Sequence, residues 1–157
     1  MAKRIEINTT VEHDIRQLLQ NEQLGVLSTE QQGQPYASLV AFAVTTGLGD
    51  LVFCTPKTTR KFSSLANNPR VAMLINNCRN QASDIDNAVS VTAVGKATEV
   101  VDTSRENLGA LFLQKHPHLR EFLQAESTAL VRIRVQRYFM VRKFQEVYEY
   151  VVNSSNG

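Results

Sequence analysis

Along this chain the apolar positions recur with a helical period in some stretches and a strand period in others, and turn residues separate the two. Val11, Ile15, Leu18 and Leu19 form one stripe behind Thr9-x-x-Glu12, which reads as a capping box opening a first helix. Leu24 to Thr29 is a short apolar strand, Gln31 to Pro35 is a turn, and Tyr36 to Thr45 is a second strand. Gly47-Leu48-Gly49-Asp50 turns the chain into a third strand, Leu51 to Thr55, so the three form an antiparallel meander. Phe62, Leu65 and Ala66 mark a short helix ended by Asn67-Asn68-Pro69, and Val71 to Ile75 is a fourth strand. Asn76 to Asn87 is polar, without period, and reads as a mobile loop.

Ala88 to Val101 is a long β-branched strand in which Gly95 predicts a bulge or a bend. A second capping box, Thr103-x-x-Glu106, opens a helix with Leu108, Leu111 and Phe112 on its apolar face. Pro117 breaks that helix, and His118 to Gln124 adds another turn or two. Ala129 to Val135 and Tyr138 to Val152 are the last strands. In the first of these Val131, Ile133 and Val135 alternate with Arg132 and Arg134, one face buried and one wet. The chain is therefore mainly β, of the α+β class. About six strands follow one another through tight turns, with two or three short helices in the gaps. Closing such an antiparallel sheet into a small barrel removes its edges.

Composition narrows the class. The 157 residues, 43% hydrophobic and 20% charged, fit one soluble domain spanning residues 1–157. A formal net charge of +2, spread along the chain, argues against nucleic acid as the main partner. No apolar run approaches membrane-spanning length, and the first ten residues lack a signal-peptide core. Cys54 and Cys78 show no pairing or zinc spacing, which suits a reducing cytoplasm. No Ser–His–Asp, HExxH, P-loop or GxGxxG pattern occurs, which disfavours hydrolase and Rossmann readings.

The densest chemistry is Thr55-Pro56-Lys57-Thr58-Thr59-Arg60-Lys61, where a strand ends and a helix begins. A helix start presents unpaired N–H groups and a partial positive charge, and arginine and lysine add donors that suit phosphate. On the residues alone a second reading competes: Thr58 or Thr59 is an ordinary N-cap and the three cations are solvated.

This order of elements and motifs, from about Ile15 to Val147, resembles the pyridoxamine 5′-phosphate oxidase-like superfamily, the FMN-binding split β-barrels. Gly33-Gln34-Pro35-Tyr36, Leu51-Val52-Phe53-Cys54-Thr55, Thr59-Arg60-Lys61, Asn67-Asn68-Pro69-Arg70-Val71 and Val94-Gly95-Lys96-Ala97 carry the likeness. The resemblance implies a six-stranded antiparallel split β-barrel and a homodimer with FMN in clefts at the subunit interface. It implies that Thr59, Arg60 and Lys61 grip the FMN phosphate, with Thr55 and Thr58 nearby. It also implies that Ser38, Leu39 and Val40 run along the flavin ring and that Ser90 reaches the ring edge. The expected activity is electron or hydride transfer to an unidentified small substrate or from an electron donor. The alternative is a non-catalytic protein that binds haem, flavin or the deazaflavin F420, whose phosphate suits the same grip.

The departures bear on the reaction. True oxidases of pyridoxine phosphate carry a phosphate-holding arginine and lysine where Ser38 and Ala43 stand, and a glutamine in place of Ser90. They also use a C-terminal tryptophan, and this chain has none, so that activity is not expected. Some relatives bind haem, which makes His116 or His118 a conceivable iron ligand, although histidines at a helix break are more often structural. Asp84 and Asp86 read as solvated loop carboxylates, and Tyr138, Tyr148 and Tyr150 as one face of the last strand. No residue stands out as a catalytic acid or base, and no metal set is expected.

Overall fold

The computed structural model describes residues 9–143 and 145–153. Among these residues seven antiparallel strands form one sheet: β1 (Leu24–Gln31), β2 (Gln34–Val44), β3 (Asp50–Pro56), β4 (Arg70–Asn76), β5 (Val89–Glu99), β6 (Thr128–Arg142) and β7 (Glu146–Val151). Their order is β3-β2-β1-β4-β5-β6-β7, and a β3–β6 pairing closes the first six into a barrel. The helices are α1 (Thr9–Asn21), α2 (Arg60–Asn67), α3 (Asp84–Asn87), α4 (Arg105–Lys115) and α5 (Arg120–Gln124), with a 3₁₀ turn over Pro117–Leu119. The one-turn helix α3 occupies part of the segment read as a loop. Among the described residues no helix is long and apolar enough to cross a membrane.

The last two expected strands are divided differently. Thr128–Arg142 is one strand, and the break falls after it, where Lys143 takes a positive φ of 48°. The misleading signal is a bulge. Val94 pairs with Arg137 and Gly95 with Val135, so Gln136 is extra. It shifts the inward parity from Val131, Ile133 and Val135 to Tyr138 and Met140, and a broken alternation resembles a turn. Tyr138 thus lies across from Tyr150 on the neighbouring strand, with the rings 6.4 Å apart. The extra length lets β6 serve two partners on one edge: residues 128–134 close the barrel on β3, and residues 137–142 hold β7.

Inside the barrel Leu27, Phe42, Phe53, Met73, Ile75, Val91, Val131, Tyr138 and Met140 pack with Ile15 and Leu19 of α1 and Leu65 of α2. Each such large side chain contributes about 1.5–3 kcal/mol by leaving water. A second cluster sits outside, where Leu108 and Phe112 of α4 and Leu123 of α5 cover Ala43, Val52 and Leu130. Lys115 ties α4 to α1, its Nζ donating to the carbonyls of Leu19 (2.8 Å) and Glu22 (2.6 Å) at a helix end with no basic residue of its own.

Among the described residues neither expected capping box is seen. Thr9 is already helical, and Glu12 pairs with Arg16 at 2.8 Å. Before α4, Ser104 is the N-cap, and the Asp102 carboxylate accepts from its backbone N (2.9 Å) and its hydroxyl.

Candidate functional site

The start of α2 is held by hydroxyls. Thr59 is the N-cap in extended conformation. Its Oγ1 donates to the Pro56 carbonyl (3.0 Å), accepts from Phe62 N (3.3 Å) and lies 2.7 Å from the Thr55 hydroxyl, which also reaches the Pro56 carbonyl at 3.3 Å. Thr55 is buried, so its hydroxyl fixes Thr59 and does not face an open site. Ser63 N bonds back to Thr59 O at 3.2 Å. Among the described residues the N–H groups of Arg60 and Lys61 reach no acceptor, which is the anion-ready end of a helix.

The three cations of the segment separate. Lys57 faces Glu99 at 3.6 Å and belongs to that pair. The Arg60 guanidinium lies 5.3 Å from the centroid of the Tyr36 ring, and Lys61 is half-buried. Among the described residues neither makes an ion pair, so no carboxylate competes for them. Thr58 is exposed beside them.

The split in the barrel lies next to this point. β2 pairs with β3 only at residues 42–44, so residues 34–41 of β2 keep an unpaired backbone edge on that side. Tyr36, Ser38 and Val40 alternate onto one face of the strand and Leu39 onto the other. Ser38 Oγ is buried and makes no hydrogen bond, an orphaned hydroxyl on the strand that Arg60 overlies. Tyr36, read from the sequence as a strand start and as the end of the Gly33–Tyr36 motif but not as a site residue, thus contacts Arg60. The signal was absent because its partner is 24 positions away in a different element.

Leu39 and Ser90 lie elsewhere. Leu39 is 63% exposed on the outer face, where Val26 separates it from Leu74 in register. Leu24, Val26, Leu39, Leu74, Asn76 and Arg79 line a shallow groove of about 360 Å³ there. Ser90 is in register with Asn76 and Val141 on the same outer face. One chain therefore places Ser38 and Arg60 on one side of β2, and Leu39 and Ser90 on the other. Ala43, aligned with a phosphate-binding lysine, is buried under α4 and α5.

His116 is not free to bind a metal. It is 2% exposed, its Nε2 sits 2.8 Å from the Phe42 carbonyl, and its ring packs on Phe112. The carbonyl can only accept, so Nε2 carries the proton. Burial lowers its pKa below the usual value. Unfolding then takes up a proton as pH falls below about 6.5, so native stability declines on that side. His116→Gln, which keeps an N–H toward Phe42, is expected to flatten this decline in urea midpoints measured at neutral and mildly acidic pH. His116→Ala orphans the carbonyl and is expected to cost about 2–4 kcal/mol. His118 is exposed beyond it. Burial pushes the Cys54 thiol up to about 12, which removes it as a nucleophile at neutral pH.

Solved structures share this fold. A haem-binding protein from Mycobacterium smegmatis aligns with a TM-score of 0.80 at 20% identity, over 94% of this chain and 59% of that one. HutZ, the haem storage protein of Vibrio cholerae, aligns at 0.70 and 20% identity over 82% of this chain and 92% of HutZ. A FAD-binding protein from Mesorhizobium loti aligns at 0.65 and 16% identity over 82% and 91%. No curated protein matches the chain. The closed barrel, the helix start at its split and a match of residues 11–142 to the family model described as pyridoxamine 5′-phosphate oxidase together identify the chain as a member of that family.

Proposed function

We propose that this chain is an FMN-binding flavoprotein that transfers electrons or hydride to or from a small substrate. The observation that carries this reading is the start of α2. It offers two open N–H groups, Arg60 and Lys61 without carboxylate partners and the exposed Thr58, and Arg60 overlies Tyr36 on the strand that carries the orphaned Ser38 hydroxyl. That donor set suits a phosphate ester. The unpaired backbone edge of β2, residues 34–41, suits a planar ring entering the split, while the Val40 side chain is buried in the core behind it. Thr55 and Thr59 act behind the site by fixing the helix start.

A bound FMN supplies electron and hydride chemistry at N5, and this chain supplies orientation and shielding. No general acid or base is assigned. Leu39 and Ser90, on the outer face, reach a cofactor only at an interface, so the working unit is a homodimer whose partner covers Leu24, Leu39 and Leu74. Two unpaired cysteines fit a cytoplasmic location. The deazaflavin F420, with its phosphate, suits the same grip.

Haem is the second reading, favoured by the neighbours from M. smegmatis and V. cholerae. The engaged His116 speaks against it, and His118 would have to serve as ligand. An absorbance spectrum of the purified protein before and after adding FMN separates the two. The expected result is a stoichiometric flavin band that is bleached by a nicotinamide donor. An intense Soret band and no response to FMN would replace this reading with a haem-binding role.

A further inference from the structure

Arg70 of β4, Lys96 of β5 and Arg134 of β6 stand in direct cross-strand register on the outer face of the barrel. Adjacent strands lie about 4.8 Å apart, and like charges directly opposite destabilise a sheet. Among the described residues no carboxylate comes within 4.0 Å of any of the three. The neighbouring arginines are paired: Arg132 with Asp102 at 4.0 Å and Arg137 with Glu149 at 2.9 Å.

Two grooves meet along this row. One, of about 580 Å³, is lined by Arg70, Lys96, Gln136 and Arg137. The other, of about 690 Å³, is lined by Lys96, Arg132, Arg134, Gln136 and Arg137. Both volumes lie in the range of small-molecule sites. Arg132 Nε is buried in the second groove without a hydrogen-bond partner. The bulge at Gly95 sets Gln136 at the junction, where its amide can donate or accept.

Two carboxylates also border the grooves. Glu30 is occupied by Gly33 N and Asn68 Nδ2, and Asp50 lies across from Arg134. Arg60 and Lys61 line neither groove, so this row is separate from the α2 site.

We propose that this row is a second anion site that binds the phosphate of a small phosphate monoester, held by Arg70, Lys96 and Arg134. Two guanidinium forks flanking an ammonium match the three oxygens of such a group, and its charge relieves the repulsion along the row. Glu30 and Asp50 on the borders and the net charge of +2 disfavour a long polyanion.

The test is calorimetric titration of phenyl phosphate at low ionic strength into three proteins: wild type, Lys96→Gln with Arg134→Gln, and Arg60→Ala with Lys61→Ala. Two sites per chain are expected in the wild type, the α2 start and this row, and one, this row, in the Arg60/Lys61 variant. In the Lys96/Arg134 variant the α2 site is expected to remain and the other to weaken at least about tenfold. The unfolding midpoint of that variant without ligand should stay near the wild type, since the relieved like-charge repulsion offsets the lost attraction between Arg134 and Asp50, so the loss is not unfolding. Two unchanged sites in that variant, or no site left in the Arg60/Lys61 variant, would overturn the assignment, whereas two sites in the Arg60/Lys61 variant would count against the α2 grip instead.

Discussion

Replacing Arg60 and Lys61 together with alanine is expected to weaken FMN binding by at least about 100-fold, while the protein stays folded. Each removed cation deletes a charge-assisted contact to the phosphate worth about 1.5–3 kcal/mol. The structural cost is small, because neither side chain takes part in an ion pair among the described residues. Arg60 forfeits only its stacking on Tyr36, a contact worth about 0.5–1 kcal/mol at an exposed position. Lys57→Ala is the control. Its ammonium faces Glu99, so FMN affinity is expected to change little. Fluorescence titration of FMN against the three proteins reads both effects. Equal affinity in the wild type and the double variant would remove the phosphate grip from α2.

Gly95→Ala is expected to be among the most damaging single-methyl changes in the barrel. A Cβ at position 95 would sit 2.1 Å from the Arg134 carbonyl oxygen and 3.0 Å from Val135 Cα, all backbone. Neither strand can yield without opening the bulge that brings β6 to both β3 and β7. The expected loss is about 3 kcal/mol, at the upper end for overpacking. Two other glycines calibrate it. A Cβ at Gly25 meets the flexible end of Met73 at 2.9 Å, so Gly25→Ala should cost about 1 kcal/mol. Nothing lies within 4 Å of a Cβ at Gly47, so Gly47→Ala should stay within about 0.5 kcal/mol. Urea midpoints for the three variants rank the effects, and a Gly95→Ala midpoint near that of Gly47→Ala would contradict the close approach.

The local features of this fold were legible because they are written in short stretches. Apolar patterning located the first five strands, and Gly95 marked its bulge from one residue. The Gln31–Pro35 turn also follows from local chemistry: Gln32 and Gly33 both take positive φ between paired Gln31 and Gln34. What failed was continuity. Gln136 shifts the parity of β6 by one, and a period of two cannot distinguish a bulge from a strand end.

The site was legible in type more than in assembly. The segment from Thr55 to Lys61 named the right residues for a helix start. Only three-dimensional partners show that Thr55 and Thr59 serve the cap, that Lys57 belongs to Glu99, and that Arg60 and Lys61 stay open. The row of Arg70, Lys96 and Arg134 was invisible for the same reason. Its members lie 26 and 38 positions apart, and strand register alone aligns them. His116 sat at a helix break, and its burial against Phe42 depends on how α4 covers the outer wall.

The central claim is that the start of α2 holds a phosphate ester attached to a flavin. Comparing FMN with riboflavin, which carries the same ring and no phosphate, tests it most directly. Calorimetric titration of the wild-type protein should give at least about 100-fold tighter binding for FMN, with the difference reduced to less than about tenfold in the Arg60/Lys61 variant. Equal affinity for the two flavins in the wild type would contradict it.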